Sequence, residues 1–394
     1  MSLLGVRVTV VGGGIGGLAA ARALALRGAQ VTLLEQAEAI SEVGAGLQVT
    51  PNGFAVLQAL GLGQGVAARA MQAQAVSLRD YRRGEVTRLD LTQLKDQNYY
   101  LVHRADLIDV LAAGARDAGV QIRLLQQVDR IEPGPQPKIH LANGAQLTTD
   151  LVIGADGLHS KLRPALNGAD APFFTGQVAW RAIVPNVDHR PAEAWLHMAP
   201  GRHLVSYPLR DGQHLNVVAV QERQAWVNEG WTHRDSPQAL QKVFADFDDE
   251  ARAILDQVKE VYLWGLFRHP VAETWQGGHC ALLGDAAHPT LPFLAQGASM
   301  ALEDAWALAE ELAASDSLPA GLSAYQNRRR ARARQVIDAA TGNARKYHLK
   351  FPPLRFAAHT GLRTIGRVAP KFLLTQMEWL YGHDETALRG NQSS

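Results

Sequence analysis

A single cysteine, Cys280, occurs in 394 residues. One thiol excludes an internal disulfide framework and any zinc or iron–sulfur centre built on several thiolates. Set in the apolar run Cys280-Ala281-Leu282-Leu283, it reads as a buried packing residue rather than a nucleophile. No G-x-S-x-G elbow offers a serine in its place. Charge of one sign is also lacking: 39 basic against 38 acidic side chains leave a formal net charge of +1. No overall field draws a polyanion, so nucleic acid is not expected as a partner. No apolar run reaches the roughly 18 residues of a membrane span. The first thirty residues imitate a signal peptide, but glycines at 12–14, 16 and 17 break them and a second strand pattern follows. A cytoplasmic protein without an integral membrane segment is expected. The histidines show no metal-like spacing; His197 and His203, six apart, are too weak a pair. No metal site is expected. Internal repeats and low-complexity linkers are missing as well.

What is present begins with a β-branched run, Val6 to Val11, followed by Gly12-Gly13-Gly14-Ile15-Gly16-Gly17. Leu18 to Arg27 is rich in Ala and Leu and reads as a helix closed by Gly28; Gln30 to Glu35 reads as a second strand. The unit is β-α-β and implies a parallel sheet. Gly12, Gly14 and Gly17 fit G-x-G-x-x-G between strand and helix. The first glycine permits the tight turn, the second lets a pyrophosphate approach the backbone, and the third lets helix and strand pack closely. The helix start offers free N–H donors and positive potential to phosphates. Glu35, with Gln36 beside it, ends the second strand near the offset at which an acid meets ribose hydroxyls. A dinucleotide site is therefore expected, with NAD and FAD equally compatible.

Two more apolar strands end in similar punctuation, at Gly154-Ala155-Asp156-Gly157 and at Gly284-Asp285. Between them, from about 172 to 270, short Trp-, Tyr- and Val-bearing stretches separated by turn signals suggest an antiparallel sheet with one packed face. A helix is expected from Gly297, because Ala301, Leu302, Ala305, Leu308, Ala309 and Leu312 recur at helical spacing. Parallel-sheet pieces lie on both sides of the antiparallel stretch, so the domains are interleaved.

Three further motifs carry a resemblance. His103-Arg104-Ala105-Asp106-Leu107, then Gly154 to Gly157 with Ser160 and Arg163, then Gly284-Asp285-Ala286-Ala287-His288-Pro289 resemble signatures of the single-component (class A) FAD-dependent aromatic hydroxylases. This is the group of salicylate hydroxylase and 3-hydroxybenzoate 6-hydroxylase. Leu291 to Gly297 with Met300 to Asp304 extends the last signature. The likeness runs from about residue 6 to about 340. It implies an α/β fold, α+β overall: a Rossmann-like FAD-binding domain (1–70, 101–170 and 271–345) interleaved with an antiparallel-sheet substrate domain (71–100 and 171–270), plus a C-terminal helical segment (346–394).

The resemblance also implies roles. Gly12, Gly14, Ile15, Gly16 and Gly17 would cradle the FAD pyrophosphate. Glu35 and Gln36 would take the adenosine ribose, Arg104 would pair with the pyrophosphate, and Asp285 would bond the ribityl chain. Asp156 with Gly157 would serve flavin and nicotinamide use. Pro292 would shape the oxygen-reacting wall, and a helix starting at Gly297 and Ala298 would aim its positive end at the flavin. Gln48, in a loop that relatives place near the flavin ring, would bond flavin or substrate. The implied reaction uses NADH or NADPH and O2 to hydroxylate a small aromatic acid through a flavin C4a-hydroperoxide, as in aromatic-compound catabolism. The alternatives are a flavin reductase or dehydrogenase on the same fold, or a module without turnover.

A phenol has a reference pKa of about 10, so a positioned base helps at neutral pH. His203 is the candidate base, with Tyr207 two alternate positions along the same strand face; His203-x-x-x-Tyr207-Pro208 is similar to the arrangement in 3-hydroxybenzoate 6-hydroxylase and 6-hydroxynicotinate 3-monooxygenase. Arg181 and Arg210 are the candidates for a carboxylate anchor. His288 reads as structural or as a flavin-edge residue. Arg328-Arg329-Arg330 with Arg332 and Arg334 falls on an expected helix, Ala320 to Ala340, as a solvated face or salt-bridge network. The basic, apolar tail beyond Phe351 is expected to pack, on the body or across a dimer, with a membrane surface as the alternative. The oligomeric state is expected to be monomer or homodimer.

Overall fold

The computed structural model describes residues 2–40, 45–224 and 234–387. Strand Arg7–Val11 has four of its five residues buried, as a strand covered on both faces requires. It pairs in parallel with Gln30–Leu34 on one side and with Leu151–Gly154 on the other. Gln121–Arg123 and the hairpin Gln276–Gly277/Cys280–Leu282 complete a six-stranded sheet. The chain leaves the central strand toward one edge and later returns to its other side. A crevice opens above the strands' C-terminal ends at such a reversal.

Helix Ile15–Ala25 leaves that point and packs against helices Arg104–Asp117 and Gly297–Ala314. The turn before it depends on missing side chains. Gly12 holds φ +106°, and a Cβ there would lie 2.4 Å from the Ala155 carbonyl oxygen. A Cβ at Gly17 would lie 2.0 Å from the Gly12 carbonyl oxygen.

A second, eight-stranded sheet runs in the order Arg234–Asp235, Val261–Arg268, Phe173–Pro185, His214–Glu222, Arg202–Leu209, Glu193–Ala199, Ala75–Asp80, Gly84–Asp90. Every pairing in it is antiparallel except that of Glu193–Ala199 with Ala75–Asp80. The period-two alternation of strands sorts its side chains. Val178, Trp180, Ala182 and Val184 join Leu240 of helix Pro237–Val243, Phe244 at its C-terminal cap and Ile254 of helix Asp249–Asp256 in one core. The residues between them, Ala179 and Arg181, face the other way, and Arg181 lines a cavity between the two sheets.

The C-terminal third revises two expectations. The basic helix spans Leu318–Tyr347, longer than the expected 320–340. Arg329, on the supposed solvated face, is fully buried and binds Glu303, Asp304 and Glu385 at 2.6, 2.8 and 2.6 Å. The network reading holds there because distant elements, helix Gly297–Ala314 and the tail, bring the carboxylates that a buried guanidinium needs. The tail packs on the body through helices Pro352–Val368, Pro370–Thr375 and Glu378–Tyr381, with Leu374, Leu380 and Glu385 buried. Residues 388–394 of the expected C-terminal segment lie outside the described residues. Among the described residues no helix is long and apolar enough to cross a membrane.

Candidate active site

The cavity between the sheets measures about 390 Å³. Its parallel-sheet side begins with Gly14, Ile15 and Gly16. A Cβ built on Gly14 meets no atom within 4 Å, so the fold leaves room there that the protein itself does not fill. Gly14 caps helix Ile15–Ala25 without a side-chain hydrogen bond, leaving first-turn N–H groups to whatever enters. Arg104, the first residue of helix Arg104–Asp117, reaches the same space, as does Asp285 from the turn Gly284–Ala286. Burial lowers the Arg104 pKa while Asp285 opposes the drop. Enclosure by protein raises the Asp285 carboxyl, with His288 and Arg104 opposing.

A second helix start, Gly297 with Ala298, opens onto the cavity beside Pro292. Its cap residue Gln296 gives the helix no side-chain bond, because its amide is committed to Thr50 Oγ1 and Asn52, each at 2.9 Å. Two uncapped helix starts, an arginine and an acid along one cavity fit a dinucleotide with a diphosphate and hydroxylated chains. The unfilled volume at Gly14 is the cradle such a group needs.

Several expected residues stand back from the wall. Gly12 and Gly17 shape the turn from behind. Glu35 accepts from the Gly13 N–H at 2.7 Å and from the Ala37 N–H at 2.9 Å, fastening the turn to the second strand. Gln36 is exposed. Asp156 accepts from the Lys161 N–H at 2.6 Å, and its Oδ1 is buried without a partner. Burial raises its pKa against bonds from Ser160 and Lys161. Its neighbour Gly157 lines the cavity. His288 is buried against Trp275 and bonded to Asp304, away from the wall.

The antiparallel-sheet side gathers His203, Val205 and Tyr207, alternate residues of one strand. Gln48 accepts the Tyr99 hydroxyl proton at 2.6 Å and also bonds Tyr207. Burial pushes the Tyr207 hydroxyl up and keeps it a neutral donor, with Arg181 and Gln48 pulling the other way. His203 Nδ1 lies 2.7 Å from His348 Nε2, and His348 Nδ1 lies 3.0 Å from Glu222 Oε1. Burial, then His348, holds the His203 imidazole well below its ordinary pKa, so the ring is neutral.

Arg181 stacks on Trp264 at 4.5 Å, and its Nε is buried without a hydrogen-bond partner. Burial draws its pKa down to about 10, Tyr207 opposing and Arg104 adding. Arg210, the other expected anchor, is paired with Asp106 at 3.1 Å and does not line the cavity. Sequence reasoning missed His348, Glu222 and Trp264. His348 lies 145 residues from its partner, and no local pattern joins them.

The model of the FAD binding domain family matches residues 5–340. The chain belongs to this family. It is 36% identical over 392 residues to a 3-hydroxybenzoate 6-hydroxylase of Polaromonas naphthalenivorans, with 95% of each chain covered. It is 31% identical over 394 residues to the 3-amino-4-hydroxybenzoate 2-monooxygenase PtmB3 of Streptomyces platensis, with 96% of each covered. The crystal structure of Klebsiella pneumoniae HpxO complexed with FAD and uric acid superposes with a TM-score of 0.82 at 26% identity, covering 91% of this chain and 93% of that one. The family member described here is an FAD-dependent aromatic monooxygenase.

Proposed function

We propose that this monooxygenase hydroxylates a small phenolic or hydroxy-heteroaromatic acid of the salicylate, 3-hydroxybenzoate or 6-hydroxynicotinate type, using NADH or NADPH and O2. The supporting observation is the convergence of His203, Tyr207 and Arg181 on one cavity wall, opposite the glycine turn. A base, a neutral donor and an uncompensated cation suit a ring bearing one hydroxyl and one carboxylate. The hydroxybenzoate relatives act on such rings by name.

FAD, when bound, would supply the redox chemistry, hydride acceptance and oxygen activation. Gly14, Ile15 and Gly16 would hold its diphosphate with Arg104, Asp285 would take chain hydroxyls, and the Gly297–Ala298 helix start would favour negative charge on the bound group. Gly12 and Gly17 act by shaping the turn, and Glu35 by fastening it within reach of a ribose. Asp156 acts through the loop that presents Gly157. Pro292 and Phe293 keep the reacting end apolar and dry. Tyr207, oriented by Gln48, donates to the substrate oxygen, and Arg181 pairs with the carboxylate as a charge-assisted bond. His203 accepts the hydroxyl proton, which turns a phenol of pKa about 10 into a far better nucleophile at neutral pH.

A panel of hydroxybenzoates and hydroxynicotinates, scored for NADH and NADPH consumption with the products weighed by mass spectrometry, tests the reading. At least one phenolic acid should speed nicotinamide oxidation and gain 16 mass units, the mass of one oxygen atom. Stimulated oxidation without any oxygenated product would favour a reductase on the same fold.

A further inference from the structure

We propose that His203, His348 and Glu222 form a proton relay that carries the substrate's hydroxyl proton from the cavity to solvent. The inference rests on the phenolic substrate proposed above. The three groups come from separate elements: His203 from strand Arg202–Leu209, Glu222 from the end of strand His214–Glu222, and His348 from the C-terminal cap of helix Leu318–Tyr347. The backbone pins them together, since the Gly201 N–H donates to the His348 carbonyl at 3.3 Å and the Glu222 N–H to the Gly201 carbonyl at 2.9 Å. The imidazoles are 2% and 3% exposed. The Glu222 side chain is 33% exposed and bonds the outlying Lys350 Nζ at 2.6 Å.

The carboxylate sets the direction of every bond. Ionised Glu222 can only accept, so His348 Nδ1 donates to it and His348 Nε2 is left as a bare acceptor. That nitrogen accepts a hydrogen bond from the His203 Nδ1–H across 2.7 Å, which leaves His203 Nε2 with a free lone pair. When the substrate O–H breaks, its electron pair stays on oxygen and the proton binds His203 Nε2. The Nδ1 proton of His203 passes to His348 Nε2, and the Nδ1 proton of His348 passes to Glu222 and water. The hydroxylated product regains a phenolic proton, and reverse passage restores both starting tautomers.

Among the described residues, the titratable groups facing the pair are Tyr347, Glu222 and Lys350; the Tyr347 hydroxyl is turned to the Phe293 carbonyl at 3.2 Å. Burial disfavours charge on both rings, but Glu222 offsets this at His348 alone. The contacts at 2.7 and 3.0 Å run from the cavity-lining ring to the part-exposed carboxylate, so a proton on His203 has a path outward.

The test is a pH jump on the FAD-loaded protein with bound 4-hydroxy-3-nitrobenzoate, whose phenolate absorbs in the visible. Stopped-flow absorbance follows ionisation in wild type, His348→Phe and the shape-conserving Glu222→Gln. Both variants should ionise the probe about 100-fold more slowly while NADH reduces their flavin at the wild-type rate. The deficit in turnover should close as pH approaches the substrate's own pKa. Wild-type ionisation rates in a folded Glu222→Gln, or a loss that is the same at every pH, would overturn the relay alone. A wild-type protein that neither ionises the probe nor oxygenates any phenolic acid would overturn the functional reading with it.

Discussion

Replacing Arg181 with methionine should stabilise the protein and disable its grip on substrate. The drop in the Arg181 pKa from 12.5 to about 10 corresponds to about 3 kcal/mol of interaction lost by the charged form on folding. Methionine keeps the length and removes the charge. It forfeits the contact with Trp264, a buried cation–π pair of about 1–2 kcal/mol, so a net gain of about 1–2 kcal/mol remains. The carboxylate of an aromatic acid loses a charged hydrogen bond of about 1.5–3 kcal/mol, which is about 10- to 100-fold in affinity. Denaturant melts of FAD-loaded wild type and Arg181→Met, with 3-hydroxybenzoate titrated against the flavin absorbance, measure both effects. A lower melting midpoint with unchanged affinity would mean that Arg181 is a structural cation and would refute the reasoning.

The glycine turn separates folding from loading. Gly14→Val should give a folded, colourless protein because its side chain enters only the ligand's space, whereas Gly17→Val should yield little folded protein because of the Gly12 carbonyl; circular dichroism and flavin content read both. Glu385→Ala strips one partner from Arg328 and Arg329 and should cost about 3 kcal/mol, the scale for breaking a buried pair, in urea melts. At Glu303 burial is outweighed by Arg329 and Arg332, and at Asp304 by His288 and Arg329, so both carboxyls sit at about 2. Their folded values lie below the unfolded ones near about 4, so their contribution is full above that range and disappears as pH falls from about 4 to 2. Urea midpoints measured across that interval should drop steeply, and a flat profile would contradict the assignment.

Local spacing carried the legible part of the fold. Gly12, Gly14 and Gly17 announce their turn because strand, helix and phosphate contact each demand a missing side chain at a fixed offset. His203 and Tyr207 share a wall because a strand repeats every two residues. What stayed hidden depends on contacts between distant segments. A run of arginines reads alike whether solvated or buried until Glu303, Asp304 and Glu385 are placed around Arg329. Likewise His348 is an unremarked helix end until the packing of helix Leu318–Tyr347 sets it against His203. Arg181 and Arg210 were equal candidates in sequence; the Asp106 partner that disqualifies Arg210 comes from another element.

Supplying the FAD-loaded protein with NADH, 3-hydroxybenzoate and 18O-labelled dioxygen tests the central claim most directly. The account predicts a dihydroxybenzoate carrying one heavy oxygen atom per molecule, formed in step with nicotinamide consumption. Nicotinamide consumed with the label recovered only in hydrogen peroxide, for this and every other phenolic acid tried, would contradict it.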